Sequence, residues 1–113
     1  MDQLIRMRWD FTLEDDLDGK LQNEIYSDFY EECYEFLLNA FQSDIWKIWV
    51  AEEDGMVVSN IYIELIHKVP RPGRITHPFA YMTNVYTKPD HRGKGIGSKL
   101  ISINQRMGKT KQI

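Results

Sequence analysis

Residues 85–101 read Val85-Tyr86-Thr87-Lys88-Pro89-Asp90-His91-Arg92-Gly93-Lys94-Gly95-Ile96-Gly97-Ser98-Lys99-Leu100-Ile101. This is an apolar, strand-like run, a turn marked by Pro89, and a Gly-rich basic turn that opens a helix. Glycine at the alternate positions 93, 95 and 97 removes side chains that would keep an anion from the backbone. It also permits backbone angles that other residues avoid. Such a turn aims several unpaired N–H groups at one point, and the helix start adds roughly half a positive charge there. Arg92 and Lys94 supply further charge, with Lys99 one turn on. The segment reads as a seat for a phosphate or pyrophosphate.

Spacing excludes two other phosphate motifs. The dinucleotide fingerprint needs Gly-x-Gly-x-x-Gly and an acidic residue about 20 positions later. Here the pattern is Gly-x-Gly-x-Gly, and none of the 16 residues after Gly97 is acidic. The P-loop's Gly-Lys-Ser/Thr, four residues after a first glycine, is also missing.

Taken alone, Gly-x-Gly-x-Gly fits a plain surface loop as well as an anion seat. The flanks add more. From Thr83 to Ile101 the chain resembles motif A of the GCN5-related N-acetyltransferases, whose consensus is Arg/Gln-x-x-Gly-x-Gly/Ala. Arg92-Gly93-Lys94-Gly95-Ile96-Gly97 meets every constrained position, and Asn84 to Asp90 resembles the family's fourth strand and its exit.

The resemblance implies an α/β (α+β) fold of the acyl-CoA N-acyltransferase type: a mainly antiparallel central sheet with flanking helices. It implies acetyl-coenzyme A as co-substrate. The amides of Arg92, Gly93, Lys94, Gly95, Ile96 and Gly97, with Ser98, would hold its pyrophosphate. The main chain of Val85, Tyr86 and Thr87 would hold the pantetheine arm, with the acetyl thioester where this strand splays from a fifth. A small-molecule or peptide amine then attacks the carbonyl directly, without an acyl-enzyme. The protein supplies positioning, an oxyanion donor and a route for the amine's proton.

Composition suits one small domain spanning residues 1–113. At 42% apolar and 12% aromatic residues the chain can form a core, and its length allows only one. No apolar run approaches the roughly 20 residues of a membrane span, and the N-terminus has no secretory pattern. The one cysteine, Cys33, has no internal disulfide partner, which suits a reducing cytoplasm. It lies on a helical apolar stripe and reads as a core residue.

Charge is unevenly divided. From Lys88 onward seven Lys/Arg face one acid, a balance of +6; residues 1–87 carry seven basic and sixteen acidic groups, a balance of −9. A basic end attracts polyanions. Yet no aromatic residue lies beyond Tyr86, so it offers no stacking platform for bases, and nucleic acid is not the expected partner. The acidic remainder suits a cationic amine or is simply solvated surface. No His/Cys cluster suggests a metal site, and no serine elbow suggests hydrolysis.

Along the chain, Leu4–Trp9 alternates weakly and is expected as a strand. Thr12 or Asp15 offers a helix cap. Leu17, Leu21, Ile25, Phe29, Cys33, Phe36, Leu37, Ala40 and Phe41 recur at helical spacing, predicting a long amphipathic helix with a break near Gly19. In the resembled family two helices here border the acceptor groove. Tyr26, Tyr30 and Tyr34 either line that groove or, as we read them, pack. Ile45–Ala51 is the next strand, Glu53-Asp54-Gly55 a hairpin signal, and Met56–Val69 its partner, with Ser59 and Asn60 where the family often has Gly. Pro70–Arg74 is a loop and Phe79–Thr87 the next strand.

The order strand, helix, strand, strand, strand, helix matches the front half of such a domain. The family continues with further strands and a helix, whereas Ser98–Ile113 is all that follows here and Gly108–Ile113 makes no convincing strand. The chain is therefore expected to be C-terminally truncated. Its last strand would then leave an edge unpaired, so a homodimer or higher assembly through residues 79–113 is expected. The alternative to an enzyme is an inactive coenzyme-binding or dimerisation module. No catalytic base is assigned. Glu52, Glu64, His77, His91 and Asn84 are candidates, with His91 suited to a structural or phosphate-side role.

Overall fold

The computed structural model describes residues 1–107, with side chains as far as Ser102; Gly108–Ile113 lies outside the described residues. The elements are α1 (Asp2–Glu14), α2 (Tyr26–Phe41), β1 (Trp46–Glu53), β2 (Met56–Ile66), β3 (Phe79–Thr87), a short 3-10 turn (Pro89–His91) and α3 (Ile96–Met107).

The first element is a correction. Leu4–Trp9, expected as a strand, lies inside helix α1. Leu4, Met7 and Phe11 recur at helical spacing and, with Ile5, pack into the core. That stripe outweighs the weak alternation, and Leu, Met and Arg favour helix over strand. Asp2 in the first turn also suits the helix dipole.

The long helix read over Leu17–Phe41 is shorter, beginning only at Tyr26. Gly19 adopts φ +66°, and the Asp16 carboxylate accepts the amides of Lys20 and Leu21 at 3.1 and 2.9 Å. These bonds divert the backbone into turns. The break expected near Gly19 thus extends to Ile25, and Leu17, read on the buried stripe, is 93% exposed. Cys33, Leu37 and Ala40 are buried on α2 as that stripe predicts.

The sheet is antiparallel, in the order β1-β2-β3. Asp54 and Gly55 both have positive φ, 53° and 78°, as a two-residue hairpin turn requires. Side chains alternate between two cores. On one face Ile48, Tyr62 and Tyr86 pack with α1 and α2; on the other Trp49, Ile61 and Ile63 pack with Leu100 of α3. The result is three layers: two helices, sheet, one helix. Strand β2 runs unbroken through Ser59 and Asn60. Ser59 is accommodated because its hydroxyl donates to Tyr86 O at 3.0 Å.

One extra residue enters β3. Asn60 pairs with Tyr86 but Tyr62 pairs with Thr83, so Ile61 faces a bulge. Asn84 sits in it at φ +54°, a conformation that Asn tolerates better than most residues. Among the described residues the outer edge of β3 pairs with no other strand. Among the described residues no helix is long and apolar enough to cross a membrane.

Leu37 is 0% exposed in the α2–sheet core. Leu37→Ala should therefore lower unfolding free energy by about 2–5 kcal/mol, read as a fall in urea midpoint at unchanged slope.

Candidate functional site

Where β3 ends, Lys88 N still donates to Val58 O at 2.9 Å. The chain then turns, with His91 N donating to Lys88 O and Arg92 N to Pro89 O. Beyond this point the backbone stops bonding to itself. Gly93 and Gly95 take φ +80° and +75°, and the first bond of α3 is Lys99 N to Gly95 O at 3.0 Å. Among the described residues, no amide from Gly93 to Ser98 donates to a protein carbonyl. Backbone of this kind, running into a helix start, forms a nest of the type that can accept an anion. Gly93 and Gly95–Ser98 line a concavity of about 270 Å³ with Thr87, His91 and Arg92.

The three glycines serve two different needs. At Gly93 and Gly95 an added Cβ would meet nothing within 4 Å, so conformation is the constraint. At Gly97 it would lie 3.3 Å from Thr87 Oγ1, so there the constraint is the close approach of α3 to β3.

Arg92 is placed differently from its neighbours. Its amide is engaged by Pro89, and its guanidinium is turned toward α1. There it makes a bidentate pair with Glu14, at 2.6 and 2.9 Å. It also donates to Thr87 O at 2.9 Å and lies over the Tyr86 ring. Tyr86 OH donates to the same Glu14 carboxylate at 3.1 Å, and its ring stacks on Phe11. Arg92 holds the Glu14 carboxyl below its ordinary value. Burial, with help from Glu14, raises the Tyr86 phenol. Lys94 and Lys99, close by in sequence, are both exposed and in no salt bridge among the described residues.

Two more concavities continue along β3. One, of about 430 Å³, is lined by Val85, Tyr86 and Thr87 with Phe11, Glu14 and Arg92. It shares Thr87 and Arg92 with the nest. The next, of about 530 Å³, shares Phe11 and reaches Thr83 and Asn84 at the bulge. Its walls are Phe29, Phe36, Trp46 and Tyr62, with Arg8, Glu32 and Cys33. Burial raises both the Cys33 thiol and the Tyr62 phenol, so neither carries charge at neutral pH. Three neighbouring concavities with shared walls thus follow one another from the glycine turn, past residues 85–87, to an aromatic cavity.

Structure brings the ten residues read as coenzyme-binding, Val85–Thr87 and Arg92–Ser98, to the first two concavities, Lys94 excepted as a lining residue. Glu52, Glu64 and His77 line none of the three. His91 lines the nest, with Nε2 3.6 Å from Glu53. Tyr26, Tyr30 and Tyr34 pack: Tyr26 meets Trp9 edge-on, and Tyr30 donates to Asp2 and stacks on Tyr34. The sequence reading missed Arg8, Phe11 and Glu14. Their signal was the helical spacing of Leu4, Met7 and Phe11, which puts all three on one helix.

The family model for the acetyltransferase (GNAT) domain matches residues 44–112. No curated protein gives a significant match. A GCN5-related N-acetyltransferase structure from Ralstonia eutropha JMP134 is similar at TM-score 0.67 and 22% identity, over 99% of this chain and 74% of that one. So is a predicted acetyltransferase from Clostridium acetobutylicum solved with acetyl-CoA, at TM-score 0.61 and 22% identity over 99% of this chain and 71% of that one. Aminoglycoside N-acetyltransferase AAC(6')-Iy, in complex with a bisubstrate analogue, is similar at TM-score 0.58 and 19% identity, over 95% of this chain and 63% of that one. At these identities the likeness is one of fold, and it is the acyltransferase-like fold that residues 83–101 led us to expect.

The Glu14–Arg92 pair has a testable pH signature. A carboxyl held below its unfolded value adds stability above the unfolded value and loses it as pH falls through the folded one. Glu14→Gln should therefore be less stable than the parent at pH 7, and the gap should close as pH drops below about 4. Parallel urea titrations of both proteins across that range check this.

Proposed function

The chain belongs to the acetyltransferase (GNAT) family, and from that premise we propose that it binds acetyl-coenzyme A and transfers the acetyl group to a primary amine. The observation that carries this reading is the run of unengaged amides from Gly93 to Ser98 at the head of the concavities along β3. A diphosphate supplies the acceptor oxygens those amides lack, next to the positive end of α3 and the Lys94 charge. The coenzyme's extended arm fits beside the free edge of Val85, Tyr86 and Thr87, as a strand would. Acetyl-CoA or a bisubstrate analogue is present in two of the similar structures, consistent with this use of the fold.

The reaction is an acyl transfer. The amine nitrogen attacks the thioester carbonyl, a C–N bond forms and the C–S bond breaks. The sulfur leaves as thiolate and takes up a proton, and the ammonium form of the acceptor loses two, so one proton is released to solvent. The protein's share is orientation along β3 and hydrogen-bond donation to the developing oxyanion. A cytoplasmic setting suits the buried, unpaired Cys33.

A second reading rests on the open edge of β3, where Phe79, Tyr81 and Val85 are exposed. It is a coenzyme-binding module that assembles through this edge as a homodimer. Light scattering then gives a dimer mass, and a monodisperse monomer at high concentration excludes that assembly.

Calorimetric titration with acetyl-coenzyme A tests the main proposal. Gly95→Val strains a backbone at φ +75°, and Gly97→Val drives α3 from Thr87. Each should weaken binding roughly tenfold or more while circular dichroism remains that of the parent. Unchanged affinity overturns the site. A thiol-release assay across amines separates the enzyme from the inert module.

A further inference from the structure

The aromatic cavity at the far end of these concavities carries its own chemical signature. Of its lining residues only Arg8 and Glu32 are charged, and no salt bridge joins them. Arg8 is held in place without being neutralised. Its Nη1 donates to Asn84 Oδ1 at 3.1 Å, and its guanidinium lies over Phe11 at 5.7 Å. Asn84 reaches it only because the β3 bulge puts that residue at φ +54°. A guanidinium has five donors in a planar fork that matches a carboxylate. Here one donor is spent on a neutral amide oxygen, and among the described residues no carboxylate takes the others. The remaining wall is apolar, from Phe11, Phe29, Phe36, Trp46 and Tyr62.

Resting on the acetyltransferase reading above, we propose that the accepted amine carries a carboxylate seated on Arg8 and an apolar or aromatic body enclosed by this cavity. The volume of about 530 Å³ is that of a small-molecule site. A pre-positioned guanidinium beside aromatic walls gives a charge-assisted, bidentate contact at little ordering cost. Glu32 on the same cavity wall gives the ammonium of a zwitterionic acceptor a counter-charge before transfer. The acceptor class is thus amino-acid-like: a small amine, a carboxylate and an apolar side chain.

The test compares ligands that differ only in the carboxylate. L-phenylalanine and phenethylamine form one pair, L-leucine and isopentylamine the other. Each is titrated into the full chain by calorimetry, with and without coenzyme A, so that no turnover is needed. In at least one pair the carboxylated member should bind roughly tenfold tighter or more, and Arg8→Gln should bring the two members of that pair within about twofold. Arg8→Lys, which keeps the charge but loses the fork, should recover only part of the preference. Equal or tighter binding of the bare amines overturns the proposal, as does a preference that survives Arg8→Gln, or no binding of either carboxylated probe. Failure of coenzyme A itself to bind overturns the acetyltransferase reading instead, and the titrations without coenzyme still decide the role of Arg8.

Discussion

The arrangement rests on a constraint at one junction: the chain must pass from β3 into α3 without using up its own amides. Helix starts always leave N–H groups unpaired, but water or a side-chain cap usually takes them. Here the two positive-φ glycines, Gly93 and Gly95, extend the unpaired run upstream of the helix. Gly97 then lets the helix sit against Thr87. A side chain at 97 would push α3 outward and open the nest; a β-branched residue at 93 or 95 would turn the amides elsewhere. The site is made of backbone, so its identity depends on what side chains are left out.

The loop is not free-standing. Arg92, the first residue of the family motif, spends its charge on Glu14 at the end of α1, and Tyr86 joins the same carboxylate. These groups are substantially exposed, so water screens them and their gain in stability is small. Their structural effect is larger, because the bidentate geometry fixes the bend relative to a helix on the opposite face of the sheet. Phe11, stacked on Tyr86, extends that tie into the core. The residue that looks in sequence like a phosphate ligand thus has its guanidinium engaged by Glu14 and acts as a strut.

The bulge in β3 links the two ends of this series of concavities. By inserting one residue between Thr83 and Tyr86, it turns Asn84 toward α1 while Val85–Thr87 keep their strand geometry. The same irregularity places Asn84 to accept a hydrogen bond from Arg8 in the cavity beyond. Edge strands tolerate such insertions because only one neighbour must adapt its register.

The glycine turn, the antiparallel hairpin at Asp54-Gly55, the α2 stripe of Cys33, Leu37 and Ala40 and the loop after β2 were all legible in sequence. Each is local, set by the allowed angles of a few residues or by a short apolar period. Helix α1 was not legible as helix. Its stripe is short and its alternation ambiguous, and packing against the sheet settled the matter. Nor could sequence pair Glu14 with Arg92, or Arg8 with Asn84, across 78 and 76 positions. Composition and spacing alone determined that this chain carries a glycine-rich turn between a strand and a helix, with its backbone left bare. Only tertiary packing decided which side chains surround that turn, because contacts between distant segments depend on how the layers stack, and no local pattern records it.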